Sequence, residues 1–178
     1  PGHEICASDE SGRNYVLWPG TSCGKCRFCL DGRENLCPDM KILGFHIDGG
    51  FAEYVEALPS SMIEVPTSLK DLRIAPFAEP LGCAVHALFM HTFREKEDFV
   101  ICGAGTLGIM AAFAAASMGV SVTLLEKNPA RIERCRSLFR FPGNVNISAD
   151  FPDASASSAL NAAPAPDAFY SCLKKLAP

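Results

Sequence analysis

Residues 99–126, FVICGAGTLGIMAAFAAASMGVSVTLLE, contain the pattern that decides the fold. A short apolar run of strand type leads directly into the glycine-rich turn GAGTLG, which is followed by an alanine-rich segment and a second apolar run. These segments predict a strand, a helix that ends at Gly119, and a second strand that ends at Glu126. The sequence therefore predicts a βαβ unit within a doubly wound parallel sheet.

The glycine pattern of this turn predicts a dinucleotide site. Gly103 and Gly105 permit the turn and a close approach of the pyrophosphate, and Gly108 lets helix and strand pack closely. The helix that begins with Thr106 and Leu107 offers free N–H groups and the positive end of its dipole to the phosphates. The residues alone leave a second interpretation open, which is an α/β domain with a glycine turn and no nucleotide.

Glu126, about 20 residues after the turn, is the expected partner of the adenosine ribose hydroxyls. Its negative charge would repel a 2′-phosphate, so it favours NAD over NADP. Lys127 and Arg131 follow closely and reduce that repulsion, which leaves NADP as the second choice. We include Glu126 and Arg131 in the predicted cofactor-binding set.

Three further elements are predicted after this unit. The segment NPARIERCRSLF is typical of a helix with Asn128 as its N-cap and Pro129 in its first turn. NVNIS, residues 144–148, predicts a third strand, and DAFYSC, residues 167–172, predicts a fourth. The stretch before DAFYSC is rich in Ala, Ser and Pro.

Four cysteines occur within CGKCRFCLDGRENLC with the spacing C-x2-C-x2-C-x7-C, namely Cys23, Cys26, Cys29 and Cys37. A looping chain can point all four sulfurs inward, and four thiolates around one ion form the tetrahedral site that structural zinc accepts. An iron–sulfur cluster is an alternative, because the first spacings and the Cys37-Pro38 pair half-fit one. Disulfides are a weaker alternative. The scattered Cys83, Cys102, Cys135 and Cys172 are predicted to be small core residues.

Composition excludes several classes of protein. The chain has 178 residues, 48% of them hydrophobic, and a formal net charge of -4. The mild acidity predicts neither a nucleic-acid partner nor an anionic membrane surface, and no apolar run reaches the roughly 20 residues of a membrane span. No signal peptide is visible, and the odd number of cysteines favours a reduced, cytoplasmic location. Because the initiator methionine is missing, we expect a piece of a longer protein.

Four stretches in this order resemble the zinc-containing medium-chain dehydrogenase family of alcohol, sorbitol and threonine dehydrogenases: CGKCRFCLDGRENLC, GGFAEYV, AEPLGCAVHAL and GAGTLG. The resemblance covers residues 20 to about 140. It implies a partial GroES-like β domain over residues 1–68 and a partial Rossmann domain over residues 69–178. It also implies that the cysteine loop binds a structural zinc remote from the chemistry.

The resemblance further implies a second, catalytic zinc. In the family this ion is bound by a cysteine, by the histidine of a GHE motif, and by a third cysteine or glutamate. Here PGHE supplies His3 and Glu4, and AEPLGC supplies Glu79. The resemblance implies that His3 is a ligand and that Glu4 or Glu79 is either a ligand or the carboxylate that contacts the metal-bound water. Cys6, in ICASD, resembles the first catalytic cysteine but follows the GHE motif instead of preceding it. Two interpretations of Cys6 stay open, a ligand in a rearranged N-terminus or a residue of the strand after the motif.

The implied function is hydride transfer between a secondary alcohol or polyol and NAD(P), with zinc as the second cofactor. Glu79 and RENLC favour a polyol over a simple alcohol, and the expected partner is that small molecule, with a homo-oligomer in the full-length protein. The alternative is a truncated, non-catalytic paralogue that retains the structural zinc and the nucleotide fold.

Overall fold

The computed structural model describes residues 1–94 and 97–178. The chain forms two compact units, Pro1–Glu79 and Pro80–Pro178. The domain boundary expected between residues 68 and 69 stays a prediction. Each unit has its own buried core, and we describe the two in turn.

The first unit is built on a three-stranded antiparallel sheet in the order β1-β2-β5. Cys6 lies opposite Val16, and Tyr15 lies opposite Glu64. A second, two-stranded antiparallel sheet pairs β3 with β4. The strands are β1 (Cys6–Ser8), β2 (Asn14–Leu17), β3 (Gly20–Thr21), β4 (Lys41–Ile42) and β5 (Met62–Glu64).

Short helical segments connect these strands, and the first unit has only a small core. The helix α1 (Arg27–Leu30) and a 3-10 turn at Glu34–Leu36 lie in the cysteine segment. Further 3-10 turns occur at Pro59–Ser61 and Leu72–Phe77. Its main cluster consists of four buried side chains: Ile5, Tyr15, Leu17 and Leu43.

The turn between β1 and β2 is closed by Asp9. Its carboxylate accepts hydrogen bonds from the backbone N–H of Ser11 at 2.9 Å and of Arg13 at 3.0 Å. Gly12 adopts a positive φ of 83° in this turn, which glycine tolerates without strain. No other residue's heavy atom would lie within 4 Å of a Cβ added there.

The second unit contains a four-stranded parallel sheet in the order β8-β7-β6-β9. This is the order of the first four strands in a dinucleotide-binding fold, with the reversal between β6 and β9. The strands are β6 (Asp98–Cys102), β7 (Ser121–Leu125), β8 (Val145–Ser148) and β9 (Ser158–Asn161). The helices are α2 (Ala78–Phe89), whose first two residues belong to the first unit, α3 (Thr106–Ser117), α4 (Pro129–Leu138) and α5 (Pro166–Lys175).

The alanine-rich sequence of α3 explains its close packing on the sheet. Ala111, Ala112 and Ala115 are fully buried against the strands, together with Ile101 of β6 and Leu124 of β7. Small side chains let the helix axis approach the sheet, and the branched side chains of the strands fill the remaining space. The predicted βαβ unit is thus confirmed. Among the described residues, no helix has the length and apolarity that crossing a bilayer requires.

The predicted helix cap at Asn128 is confirmed. Its side-chain oxygen accepts from the backbone N–H of Ala130 at 2.9 Å and of Arg131 at 3.3 Å, and Pro129 follows as the first helical residue. The cap satisfies donors that have no partner inside the helix. The third strand, predicted from NVNIS, is also confirmed as β8.

The prediction of a fourth strand in DAFYSC is wrong. This segment forms α5, and the fourth strand is β9, which lies in the Ala- and Ser-rich stretch before it. The physical reason is the burial period, because the less exposed residues of α5 recur at helical spacing: Ala168, Ser171, Cys172 and Lys175. Pro166 begins the helix, where a missing N–H costs nothing. The prediction that Cys83 is a core residue is also wrong, since it is exposed.

We predict that Leu124→Ala destabilises the second unit by about 2–5 kcal/mol, because it removes a fully buried side chain from the centre of the sheet. Native-state amide hydrogen exchange of β6 and β7 measures this loss. Leu138→Ala is the control, because Leu138 is 62% exposed and its truncation should change stability by less than about 0.5 kcal/mol. Equal effects of the two variants would contradict the packing described above.

Candidate metal and nucleotide sites

The four cysteines of the loop converge on one point. One ligand atom from each lies within 4.8 Å of the others: Cys23, Cys26, Cys29 and Cys37. The Sγ atoms of Cys26 and Cys29 are 3.5 Å apart, and the backbone N–H of Cys23 donates to Sγ of Cys37 at 3.4 Å. Gly24 bends the chain between the first two cysteines with a positive φ of 69°. The predicted juxtaposition of four sulfurs is therefore present.

The thiol pKa values are consistent with a site for a cation. Hydrogen bonds from the backbone N–H of Lys25 and Cys26 lower the pKa of Cys23 to about 7. The N–H of Cys23 acts in the same direction on Cys37, but burial and the neighbouring thiols outweigh it and raise the pKa of Cys37 to about 11. Four thiols this close do not all ionise without a compensating charge. A divalent, thiophilic ion such as Zn²⁺ supplies that charge, so the donor set fits it.

A second group of donors lies elsewhere in the first unit. His3, Glu4 and Glu79 each offer an atom within 4.8 Å of the other two. Nε2 of His3 lies 4.0 Å from Oε2 of Glu79, and these side chains are 32% and 18% exposed. His3 and Glu4 precede β1, whereas Glu79 lies in the first turn of α2, so residues far apart in sequence meet here. One imidazole and two carboxylates fit a zinc ion that keeps an open position.

Cys6 belongs to β1, where it pairs with Val16. The interpretation that it is part of the strand after the GHE motif is therefore confirmed. Burial raises the pKa of its thiol. In the described chain, Cys6 is not part of the donor group formed by His3, Glu4 and Glu79.

The glycine turn of the second unit has the close contacts that its sequence predicts. A Cβ on Gly108 would collide with the carbonyl oxygen of Gly103, and a Cβ on Gly103 would lie 2.9 Å from Cβ of Ala163. Gly103 also has a positive φ of 107°. Gly105 is the N-cap of α3, so the free N–H groups of that helix begin at the turn.

A cavity of about 380 Å³ opens at the carboxyl ends of β6, β7 and β9. Gly103, Gly105, Glu126 and Arg131 line it, as predicted for cofactor-binding residues. Thr106, Leu107 and Gly108 lie in the first turn of α3 and are not part of its lining. The position agrees with the rule that open α/β sheets bind ligands outside the carboxyl ends of their strands.

The carboxylate of Glu126 is buried and well satisfied. It accepts from the backbone N–H of Asn128 at 2.9 Å, from that of Ala104 at 3.3 Å and from Nη1 of Arg131 at 2.9 Å. Burial acts to raise the pKa of Glu126, but these hydrogen bonds and the charge of Arg131 outweigh it and lower the pKa. Glu126 is therefore ionised at neutral pH and oriented toward the cavity it lines.

Sequence comparisons place these features in a known family. Residues 2–67 match the model of the alcohol dehydrogenase GroES-like domain, and residues 88–161 match that of the alanine dehydrogenase/PNT C-terminal domain. An uncharacterized zinc-type alcohol dehydrogenase-like protein of Haemophilus influenzae is 39% identical over 127 residues, which are 71% of this chain and 37% of the relative. The chain belongs to the zinc-containing medium-chain dehydrogenase family.

A second curated relative and a solved structure extend the comparison. The L-threonine 3-dehydrogenase of Streptomyces coelicolor is 42% identical over 137 residues, covering 76% of this chain and 38% of that enzyme. The chain thus spans less than half the length of these curated relatives. The structure of acetophenone reductase from Geotrichum candidum in complex with NAD superposes with a TM-score of 0.81 at 23% identity. It covers 98% of this chain and 55% of that one, and it supports the fold of a partial GroES-like domain and a partial Rossmann domain.

Two residues that line the nucleotide cavity of this medium-chain dehydrogenase fold were not predicted from the sequence. Lys175 lines the nucleotide cavity, and its Nζ contacts Oδ1 of Asp150 at 3.0 Å and Oδ1 of Asp153 at 2.8 Å. Asp150 lines the same cavity. The helical period in α5 was the only signal that could have located Lys175, and it was masked by the interpretation of that segment as a strand.

We predict that Glu126 makes the stability of this medium-chain dehydrogenase chain pH-dependent. Because its pKa is lower in the folded than in the unfolded chain, the ionised form adds stability that is present at neutral pH. This contribution is lost as the pH falls below the usual glutamate value of about 4.3 and through the folded-state pKa. Urea unfolding should give a larger difference in the free energy of unfolding between wild type and Glu126→Gln at pH 7 than at about pH 3. Glu133→Gln, an exposed substitution on α4, should show no such change.

Proposed function

We propose that this chain is the zinc- and nucleotide-binding portion of an oxidoreductase that transfers a hydride between a secondary alcohol or polyol and NAD(P). The observation that carries the proposal is the meeting of His3, Glu4 and Glu79 within 4.8 Å. This group combines a nitrogen donor with two carboxylates, in a unit that also contains a four-thiol cluster. The second unit contributes a nucleotide-type cavity.

In this proposal the four thiols bind a structural zinc. Four sulfur ligands close the coordination sphere, so this ion has no position left for a substrate. Its role would be to stabilise a loop that is held by few buried side chains, because α1 and the turn Glu34–Leu36 contain none. Arg27 and Arg33 lie over the ring of Phe28 at 4.5 and 5.3 Å and bring positive charge close to the thiolate cluster.

His3, Glu4 and Glu79 would bind the catalytic zinc. When bound, zinc polarises a carbonyl oxygen or lowers the pKa of an alcohol, which favours hydride transfer. The imidazole of His3 must be neutral to act as a ligand, and the two carboxylates balance the charge of the ion. Three protein ligands leave one position for the substrate oxygen. Glu4 is exposed, whereas His3 and Glu79 are half-buried, so Glu4 has the most freedom to move toward or away from that position.

Glu126 and the glycine turn would bind the nucleotide. The backbone at Gly103 and Gly105 is open to a pyrophosphate, and the N-terminus of α3 provides N–H donors for it. The ionised carboxylate of Glu126 suits ribose hydroxyls and repels a 2′-phosphate, which favours NAD. The guanidinium of Arg131 already pairs with Glu126 at 2.9 Å, so less of its charge is available to a phosphate.

The substrate class is a small molecule with a secondary hydroxyl group or the corresponding ketone. The related L-threonine 3-dehydrogenase is named for a secondary hydroxyl at carbon 3, and acetophenone reductase for a ketone. The carboxylate of Glu79 and the sequence RENLC favour a polyol substrate over a simple alcohol. A homo-oligomer of the whole protein stays a prediction.

We predict two zinc ions per chain in wild-type protein. Elemental analysis after dialysis should give one zinc for Cys26→Ser, which opens the four-thiol cluster, and one for His3→Ala, which removes the nitrogen donor of the second group. One zinc in the wild type, lost in Cys26→Ser, would leave only the structural ion and would support a non-catalytic chain instead. Absence of zinc from all three proteins would contradict both sites.

We also predict a preference for NAD⁺ over NADP⁺ that depends on Glu126. Isothermal titration calorimetry of the two nucleotides should show tighter binding of NAD⁺, and Glu126→Gln should reduce the preference by about tenfold, or 1.4 kcal/mol. Glu133→Gln is the matched control, because Glu133 is an exposed glutamate on the neighbouring helix α4 and does not line the cavity. Tighter binding of NADP⁺ to the wild type would overturn the assignment of Glu126.

A further inference from the structure

We infer that Gly44 and Gly49 are positioning residues for the metal ligands His3 and Glu4. They belong to a segment, residues 44–51, that we call the 44–51 loop. The inference rests on the proposed function, because it takes His3 and Glu4 as ligands of the second zinc. It adds a reason for the position of these ligands, which lie outside the regular strands and helices.

The peptide before His3 lies directly against the backbone of the 44–51 loop. A Cβ on Gly49 would collide with the carbonyl oxygen of Gly2 and would lie 2.6 Å from that of Pro1. A Cβ on Gly44 would lie 2.7 Å from the same Gly2 oxygen. Distances this short are not found for real side chains, and the opposing atoms are backbone atoms that cannot rotate away. Only glycine at both positions lets the two backbones meet.

Two hydrogen bonds fix the orientation of the same peptide. The N–H of Gly50 donates to the carbonyl oxygen of Gly2 at 2.9 Å, and the N–H of Phe51 donates to that of Pro1 at 3.3 Å. Since these carbonyls come immediately before His3, their orientation determines where the Cα of His3 lies. The loop therefore fixes the backbone position from which the imidazole side chain extends.

The residue after the ligand pair is held by the same loop. Ile5 is buried, and a Cβ on Gly50 would lie 2.6 Å from its Cγ1 atom. The His3–Glu4 dipeptide is thus fixed on both sides, by backbone contact at Gly2 and by side-chain packing at Ile5. The ring of Phe45 adds a direct contact, with its centroid 4.7 Å from that of the His3 imidazole.

The 44–51 loop is itself anchored to β4. The N–H of His46 donates to the carbonyl of Ile42 at 2.9 Å, and Nδ1 of His46 accepts from the N–H of Ile42 at 3.0 Å. A metal site requires its ligands to be held within about 0.5 Å of the productive geometry. A methyl group on Gly49 forces a displacement of the Pro1–Gly2 peptide, and that displacement passes directly to His3 and Glu4.

The test compares Gly49→Ala with Gly12→Ala in the full 178-residue chain. Gly12 is the matched control, because its φ of 83° strains an alanine while its added Cβ meets no atom within 4 Å. Titration with a zinc chelator should show a second zinc bound at least about tenfold more weakly in Gly49→Ala, with the four-thiol zinc unchanged. Gly12→Ala should bind both ions as the wild type does. Unchanged affinity for the second zinc in Gly49→Ala would overturn the inference.

A measurement without metal separates this inference from the proposed function. In the zinc-free chain, NMR should show that Gly49→Ala loses hydrogen-exchange protection at the Gly50 amide and the ring-current shift of the His3 imidazole protons, whereas Gly12→Ala keeps both.

If the wild type binds only one zinc, the proposed catalytic site fails, and these NMR signals alone decide whether the loop positions His3. Should Gly49→Ala fail to fold, Gly44→Ala provides the same comparison, since its added Cβ would lie 2.7 Å from the same Gly2 oxygen and its φ of 77° is close to that of Gly12. Unchanged His3 shifts in the available variants would overturn the inference.

Discussion

The contact of Gly108 with the carbonyl of Gly103 determines how α3 leaves β6. No side chain fits between these two residues, so the first turn of the helix packs directly on the end of the strand. The buried alanines of α3 continue that close approach along the sheet. Glu126, the residue directly after β7, lies beside the glycine turn, where its carboxylate accepts from the N–H of Ala104. The nucleotide cavity is a consequence of this one contact.

A different constraint acts in the first unit. Side chains that would repel one another when ionised lie close together there. Four thiols lie together in one part of it, and two carboxylates with an imidazole in another. Such clusters are costly in a protein without a compensating cation. Neither α1 nor the turn Glu34–Leu36 contains a buried residue, so the metal proposed for the four thiols would supply stability that hydrophobic packing does not. The chemistry proposed for the unit and its stability thus depend on the same kind of interaction.

The sequence predicted the features that are encoded locally. The β6-α3-β7 unit, the Asn128 cap and the four-thiol cluster all follow from patterns within about 30 residues, the length of a βαβ unit. The fourth strand was assigned to the wrong segment, because the small residues of β9 have little strand propensity and its stability comes from pairing with β6. Glu79 was grouped with His3 only through family resemblance, since nothing local connects residues so far apart. Gly49 entered the sequence analysis only as part of the GGFAEYV stretch, with no role of its own, because its importance lies in backbone contacts with Pro1 and Gly2.

The position of β9 in the sheet order has a consequence for the chain in solution. β9 pairs with β6 on one side, and within the described parts of the chain no strand pairs with its other side. Its outer N–H and C=O groups therefore form an open edge, and such an edge can pair with a strand from another molecule. The residues of β9 carry no charge and are only half-buried, so they offer little to prevent that pairing. In the 178-residue chain, this edge is therefore a site for strand pairing that surface charge does little to oppose.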